Sequence, residues 1–161
     1  MRTVHWLFLV SAALFISGIG FIIASARTVQ TTQPAAQSPA LKPEATVKQI
    51  MAGIVMPAAY VVFDSVATIV SKDGVEERQP RTDAEWAAVG AGGAALIESA
   101  NLLLMGDRAV DQGDWVTMTQ ALADAGRQAL KAAEAKSPEG ILAAGETINM
   151  TCDNCHEKYQ R

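Results

Sequence analysis

Residues 137–161 read SPEGILAAGETINMTCDNCHEKYQR, and this stretch decides the fold. Ser137 followed by Pro138 is a helix start: a side-chain cap, then a residue whose missing amide costs nothing in the first turn. Ile141, Gly145, Ile148, Cys152, Cys155 and Tyr159 then recur in steps of four, three, four, three and four. That period is one face of an α-helix, and both cysteines fall on it. A helix with a single apolar face buries it only against other helices, so partners are expected upstream.

Three upstream stretches have the same period. Residues 114–135 place Trp115, Met118, Leu122, Ala125 and Ala129 on one face. Residues 82–106 open with Thr82 and Glu85 in a capping-box arrangement and carry Trp86, Val89, Gly93, Leu96, Ala100 and Leu103 inward. Gly90, Gly92 and Gly93 weaken that helix, which points either to close approach by a neighbouring backbone or flat ligand, or to tolerated glycines. Residues 44–70 carry an inner stripe of Met51, Ile54, Ala58, Val61 and Ser65, widened by Val47, Val62, Val66 and Ile69. Pro57 lies inside this stretch and predicts a kink. Residues 71–81, with Asp73-Gly74 and Pro80, read as a loop, and no segment reads as a strand. The expected fold is all-α: an antiparallel up-down-up-down four-helix bundle over residues 44–161.

Residues 1–26 stand outside this domain. Residues 6–23 are apolar and uncharged behind Arg2, the pattern of an export signal. Ala24-Ser25-Ala26 fits cleavage before Arg27, whereas the length of the apolar run fits an uncleaved anchor over residues 4–26. Residues 27–43, rich in Thr, Gln, Ala and Pro, read as a flexible linker. Either way the domain is expected in the periplasm, free or tethered to the inner membrane.

Composition narrows the function. With 13 basic and 17 acidic residues the net charge is −4, which offers no basic surface for nucleic acid. The chain has only 2 cysteines, so a disulfide scaffold is excluded.

Those cysteines belong to Cys152-Asp153-Asn154-Cys155-His156, a C-x-x-C-H motif. Two thiols on one helical turn can each add across a vinyl group of one haem, and the adjacent imidazole then meets the iron. The expected cofactor is one covalent haem c, with His156 as proximal ligand. Zinc would need four ligands, and the exported part has two cysteines and one histidine. A thiol-disulfide protein is the better rival, although its motif normally opens a helix after a strand. His156 is the only histidine beyond the signal, so a second histidine ligand is excluded. For the iron's other face Met51 leads, Met56 is next, and Met105 and Met118 follow; filling the core is the alternative use of each. Without a methionine ligand, an apolar pocket of Met51, Ile54 and Trp86 is expected to face the iron. Asp153 and Glu157 lie off the inward face, and no acid-base constellation flanks the motif, so no enzymatic turnover is expected.

The C-terminal C-x-x-C-H-x-x-Tyr from Cys152 to Tyr159, the four helices and the methionine near the middle of the first one resemble the class II cytochromes c, that is, cytochrome c prime and its low-spin relatives. The resemblance covers residues 44–161. It implies thioethers at Cys152 and Cys155, iron ligation by His156, an aromatic packed beside the haem edge at Tyr159, and dimers formed through the first two helices. Lys158 and Arg161 are candidates to neutralise a propionate, or simply a solvated helix end. Pro57 and the anchor with its linker depart from the family's pattern. Two functions follow: periplasmic electron transfer between redox partner proteins, with methionine ligated, or binding of NO or CO by a five-coordinate iron as scavenger or sensor.

Overall fold

The computed structural model describes residues 41–160, together with residues 5, 6, 10–12, 14 and 15. The chain divides into two units, Met1–Ala40 and Leu41–Arg161. In the first, the described residues are helical and exposed. The remainder of the expected signal or anchor, and residues 27–40 of the expected linker, lie outside the described residues.

The second unit is mostly helical, with about four helices packed against each other and a small two-stranded hairpin. The helices are α1 (Val47–Phe63), α2 (Asp83–Leu104), α3 (Asp114–Glu134) and α4 (Pro138–Tyr159). The strands are β1 (Ala67–Ser71) and β2 (Gly74–Arg78), paired antiparallel. Each helix packs on the next, and α4 returns to α1. The core between them holds Ile50, Val62, Leu96, Ile141 and Ile148, all almost fully buried.

Local signals start the helices where they begin. Thr82 accepts from the Glu85 amide at 3.2 Å while the Glu85 carboxylate accepts from the Thr82 amide at 2.9 Å. Thr46 and Gln49 form the same reciprocal cap for α1. Ser137 caps α4 through the Gly140 amide, with Pro138 next. By composition α2 is long and apolar enough to cross a membrane. Its inward stripe is instead buried against α1 and α3, the use a core helix makes of such a face.

Two expectations for residues 44–81 are corrected. The first helix ends at Phe63, and residues 67–78 form the hairpin rather than a helix end followed by a loop. The Ser65 hydroxyl donates to the Val62 carbonyl at 2.7 Å and the Ser65 amide donates to the same oxygen, which tightens and closes the last turn. Beyond it Thr68-Ile69-Val70 is β-branched at every position, and Lys72-Asp73 is a two-residue connection.

The second correction is the phase of α1. The buried positions are Ile50, Val55, Ala58, Ala59 and Val62, whereas Ile54 and Val61 are about two-fifths exposed, at 39% and 42%. Residues Met51–Val55 form a π turn, with the Met56 amide donating to the Met51 carbonyl. Pro57 has no amide for the Gly53 carbonyl and its ring would crowd that oxygen, so the turn ahead of it widens. The wider turn absorbs one extra residue, and the stripe that begins at Ile50 resumes at Val55 rather than at Ile54.

The glycines of α2 are used inside the domain. A Cβ on Gly92 would meet the Ala58 carbonyl at 3.0 Å, and one on Gly93 would meet the Leu130 amide nitrogen at 2.7 Å. A neighbouring backbone within the domain therefore accounts for both. After α2 the chain turns at Gly106, whose φ of +63° suits glycine and whose Cβ would strike the Pro43 ring at 2.7 Å. Gly106→Ala is expected to lower stability by about 1–2 kcal/mol from the backbone alone, read as a lower urea midpoint at unchanged slope.

Candidate functional site

The last turns of α4 carry Cys152, Cys155 and His156. Helical spacing of three and four sets them on one face, and all three are half-buried. The cysteines are not bonded to each other. They look toward α1 across a cleft of about 420 Å³, where Cys152, Cys155 and His156 meet Met51, Val55 and Met56. Phe63, Leu103, Met118 and Leu122 complete its apolar floor. A wider opening of about 800 Å³ adjoins it, sharing Met51, Met56, Cys155 and His156 and adding Trp115 and Tyr159. Both volumes are in the range of small-molecule and cofactor sites.

The π turn sets what α1 contributes. Met51 and Met56 each follow a buried residue, Ile50 and Val55, in successive turns, so both reach the cleft. Met51 packs against the core, while Met56 is 48% exposed at the cleft edge. Two expected lining residues lie elsewhere. Ile54 is turned toward solvent, and Trp86 is buried in the first turn of α2; neither lines these clefts. The pocket expected from Met51, Ile54 and Trp86 is made instead by Met51, Val55 and Phe63, because the turn shifts the phase of α1.

Beyond His156 the end of α4 is clamped. The Tyr159 hydroxyl donates to Asp111, and the Tyr159 ring meets Trp115 edge-on at 5.1 Å. Asp111 also accepts from the amides of Gly113 at 2.8 Å and Trp115 at 3.1 Å, which starts α3. The Trp115 indole donates to the Leu103 carbonyl at 3.1 Å. Lys158 pairs with Asp114 at the surface, and the other propionate candidate, Arg161, lies outside the described residues. Sequence reading placed Tyr159 and Trp115 on inward faces but missed Asp111. An aspartate just ahead of Asp114 and the α3 stripe was the signal for it.

The clamp titrates. The Tyr159 hydrogen bond, then the Trp115 and Gly113 amides, hold the Asp111 carboxyl below its ordinary range. Burial, then the Asp111 bond, pushes the Tyr159 phenol up. For a lowered carboxyl the stability is present above the unfolded pKa and lost as pH falls through the folded one. For a raised phenol it is present below the unfolded pKa and lost as pH rises through the folded one. The clamp is therefore at full strength between roughly pH 4 and pH 10. Asp111→Asn is expected to flatten the acid limb of a melting-temperature profile.

The thiols are not activated. Burial pushes Cys152 up, with Asp153 and Cys155 adding to it, and burial pushes Cys155 up. They also sit at the negative end of the helix dipole. The thiolate of a disulfide oxidoreductase is favoured by the opposite surroundings, a helix N-terminus and a lowered pKa. Among the described residues no three His, Cys, Asp or Glu side chains gather as a metal site. Thiols and an imidazole line one wall, thioethers the other, and apolar side chains lie between. Compared with known proteins, the chain matches no family model, no curated protein and no solved structure.

Proposed function

We propose that the chain is a c-type monohaem electron carrier of the class II kind, exported and acting in the periplasm, tethered to the inner membrane or released from it. In this reading Cys152 and Cys155 would hold the haem as thioethers, and His156 and Met51 would ligate its iron. The observation that carries it is the cleft itself: Cys152, Cys155 and His156 on α4 and Met51 on α1 line one apolar space. The up-down-up-down arrangement is supported by the closed ring of helix contacts and by the short connection 135–137 between α3 and α4.

A haem held here supplies a one-electron iron couple whose potential its axial ligands set. The rest falls to the chain. Val55, Phe63, Leu103 and Leu122 keep water from the inner cleft. Tyr159, Trp115 and Asp111 hold the last turn of α4, which follows His156 directly. A Met51 thioether raises the potential and occupies the position a gas would need. The wider opening, with Lys48 and Gln160 among its lining residues, gives a redox partner protein access.

The test uses the full chain made with a c-type maturation system. Expected is haem that stays with the polypeptide after denaturation and a low-spin reduced spectrum unchanged by carbon monoxide. Attached haem with a high-spin, carbon-monoxide-sensitive spectrum would replace electron transfer by gas binding in the apolar cleft. No attached haem would end both readings.

A further inference from the structure

The π turn has a use that rests on the haem reading above. In an α-helix two residues five apart point about 140° from each other around the axis. Met51 and Met56 are five apart, yet both line the inner cleft and both line the wider one. The bond from the Met56 amide to the Met51 carbonyl is the i→i+5 closure that brings them back onto one face. Pro57 holds this register, since an α-helical turn there would need the amide that proline lacks.

The two methionines differ in freedom. Met51 is half-buried and packed against the core. Met56 stands 48% exposed in the turn that begins the second half of α1. The buried cluster runs through Ile50, Val55, Ala59 and Val62; Met51 packs against it from the cleft side, and Met56 is outside it. Methionine has three rotatable bonds and a soft thioether, so one site can be reached from two neighbouring backbone positions.

We propose that Met56 is a second thioether ligand, interchangeable with Met51, and that the π turn is the device that offers both to one face of the cofactor. The site then has a reserve ligand. Displacing one thioether by a competing small molecule leaves another on the same face of the cleft. Met56, being the more exposed, is the ligand that exchanges with solvent-borne competitors.

Four full-length chains test this: wild type, Met51→Leu, Met56→Leu and the double variant. Leucine keeps the apolar volume and removes only the sulfur. Haem retention after denaturation and helical content by circular dichroism are measured on all four. Each single variant is expected to stay low-spin, to keep the sulfur-to-iron absorption of the oxidised form and to ignore carbon monoxide. The double variant is expected to lose that absorption, turn high-spin and gain apparent carbon monoxide affinity by about tenfold or more. If one single variant alone gives the whole change, the site has one dedicated ligand and the proposal is overturned. A wild type already open to carbon monoxide, or a double variant still low-spin, overturns it as well while leaving attached haem in place. Loss of haem from denatured wild type removes the haem reading, and this inference with it.

Discussion

Chains carrying Cys152→Ala together with Cys155→Ala will run on a denaturing gel without haem. The argument starts from the position of the two side chains. They are three residues apart on one face of α4, half-buried and unbonded, and both line the inner cleft. Burial pushes both thiols up from their ordinary pKa, and a thiol of this kind can add across a vinyl group under a maturation system. Under the proposed function each would form its own thioether, so either single variant is expected to keep the haem by one bond and to show a reduced spectrum displaced toward that of an unsubstituted vinyl group. The double variant loses covalent attachment altogether, while His156 and the apolar cleft remain to hold haem weakly. Native preparations should therefore keep some colour that acid acetone removes. Retention of haem by the denatured double variant would sink the thioether assignment.

The second large effect is on folding. Gly93→Val is expected to destabilise the domain by about 3 kcal/mol or more, a large part of the roughly 5–15 kcal/mol that holds a domain together. A Cβ on Gly93 would lie 2.7 Å from the Leu130 nitrogen and 2.9 Å from the Gly126 carbonyl oxygen. The contact is reciprocal, because a Cβ on Gly126 would lie 2.9 Å from the Gly93 carbonyl oxygen. The atoms in the way are backbone, which cannot rotate aside, so α2 and α3 would have to separate along their length. Helix propensity works in the other direction, but a glycine replacement gains at most about 1 kcal/mol from it. Gly145 supplies the comparison. A Cβ there meets only the Phe63 ring at 3.6 Å, an ordinary contact. Gly145→Ala should thus be neutral or stabilising by up to about 1 kcal/mol. Urea unfolding of the two variants side by side reads the difference; equal midpoints would mean the α2–α3 crossing is looser than its glycines indicate.

Much of the architecture was legible because the signals were local and repeated. The Thr82–Glu85 and Ser137–Pro138 starts, and the Trp86 to Leu103 stripe, are found where residue spacing places them. The hairpin was hidden because Val66 and Ile69 continue a helical spacing from Val62, and only the tightened turn at Ser65 reveals that the helix has ended. In α1 Ala58, Val62 and Val66 are buried as the spacing placed them, but Val55 and Ala59 are buried where Ile54 and Val61 were expected. Periodicity counts residues on the assumption of a constant turn, and one proline-driven π turn breaks it without altering composition. Cys152, Cys155, His156, Met51 and Tyr159 were visible as candidates because a motif or an inward stripe marks each. Ile54 and Trp86 were chosen for the pocket on the same periodic argument, and the shifted phase of α1 and the burial of Trp86 in the core removed them. Asp111 was not chosen because its role depends on a partner 48 residues away, and no pattern within one segment carries that pairing.

Arg108 reaches back across the chain to the residues that lead into α1. Its guanidinium donates twice to the Ala45 carbonyl, at 2.8 and 3.0 Å, and once to the Leu102 carbonyl at 2.9 Å. Pro43, two residues earlier, lies over Gly106. A tug on the polypeptide ahead of residue 43 is therefore met by this knot before it reaches Thr46 and the cap of α1. It acts as strain relief does on a cable. The load passes into the end of α2, and the methionine-bearing turn keeps its shape.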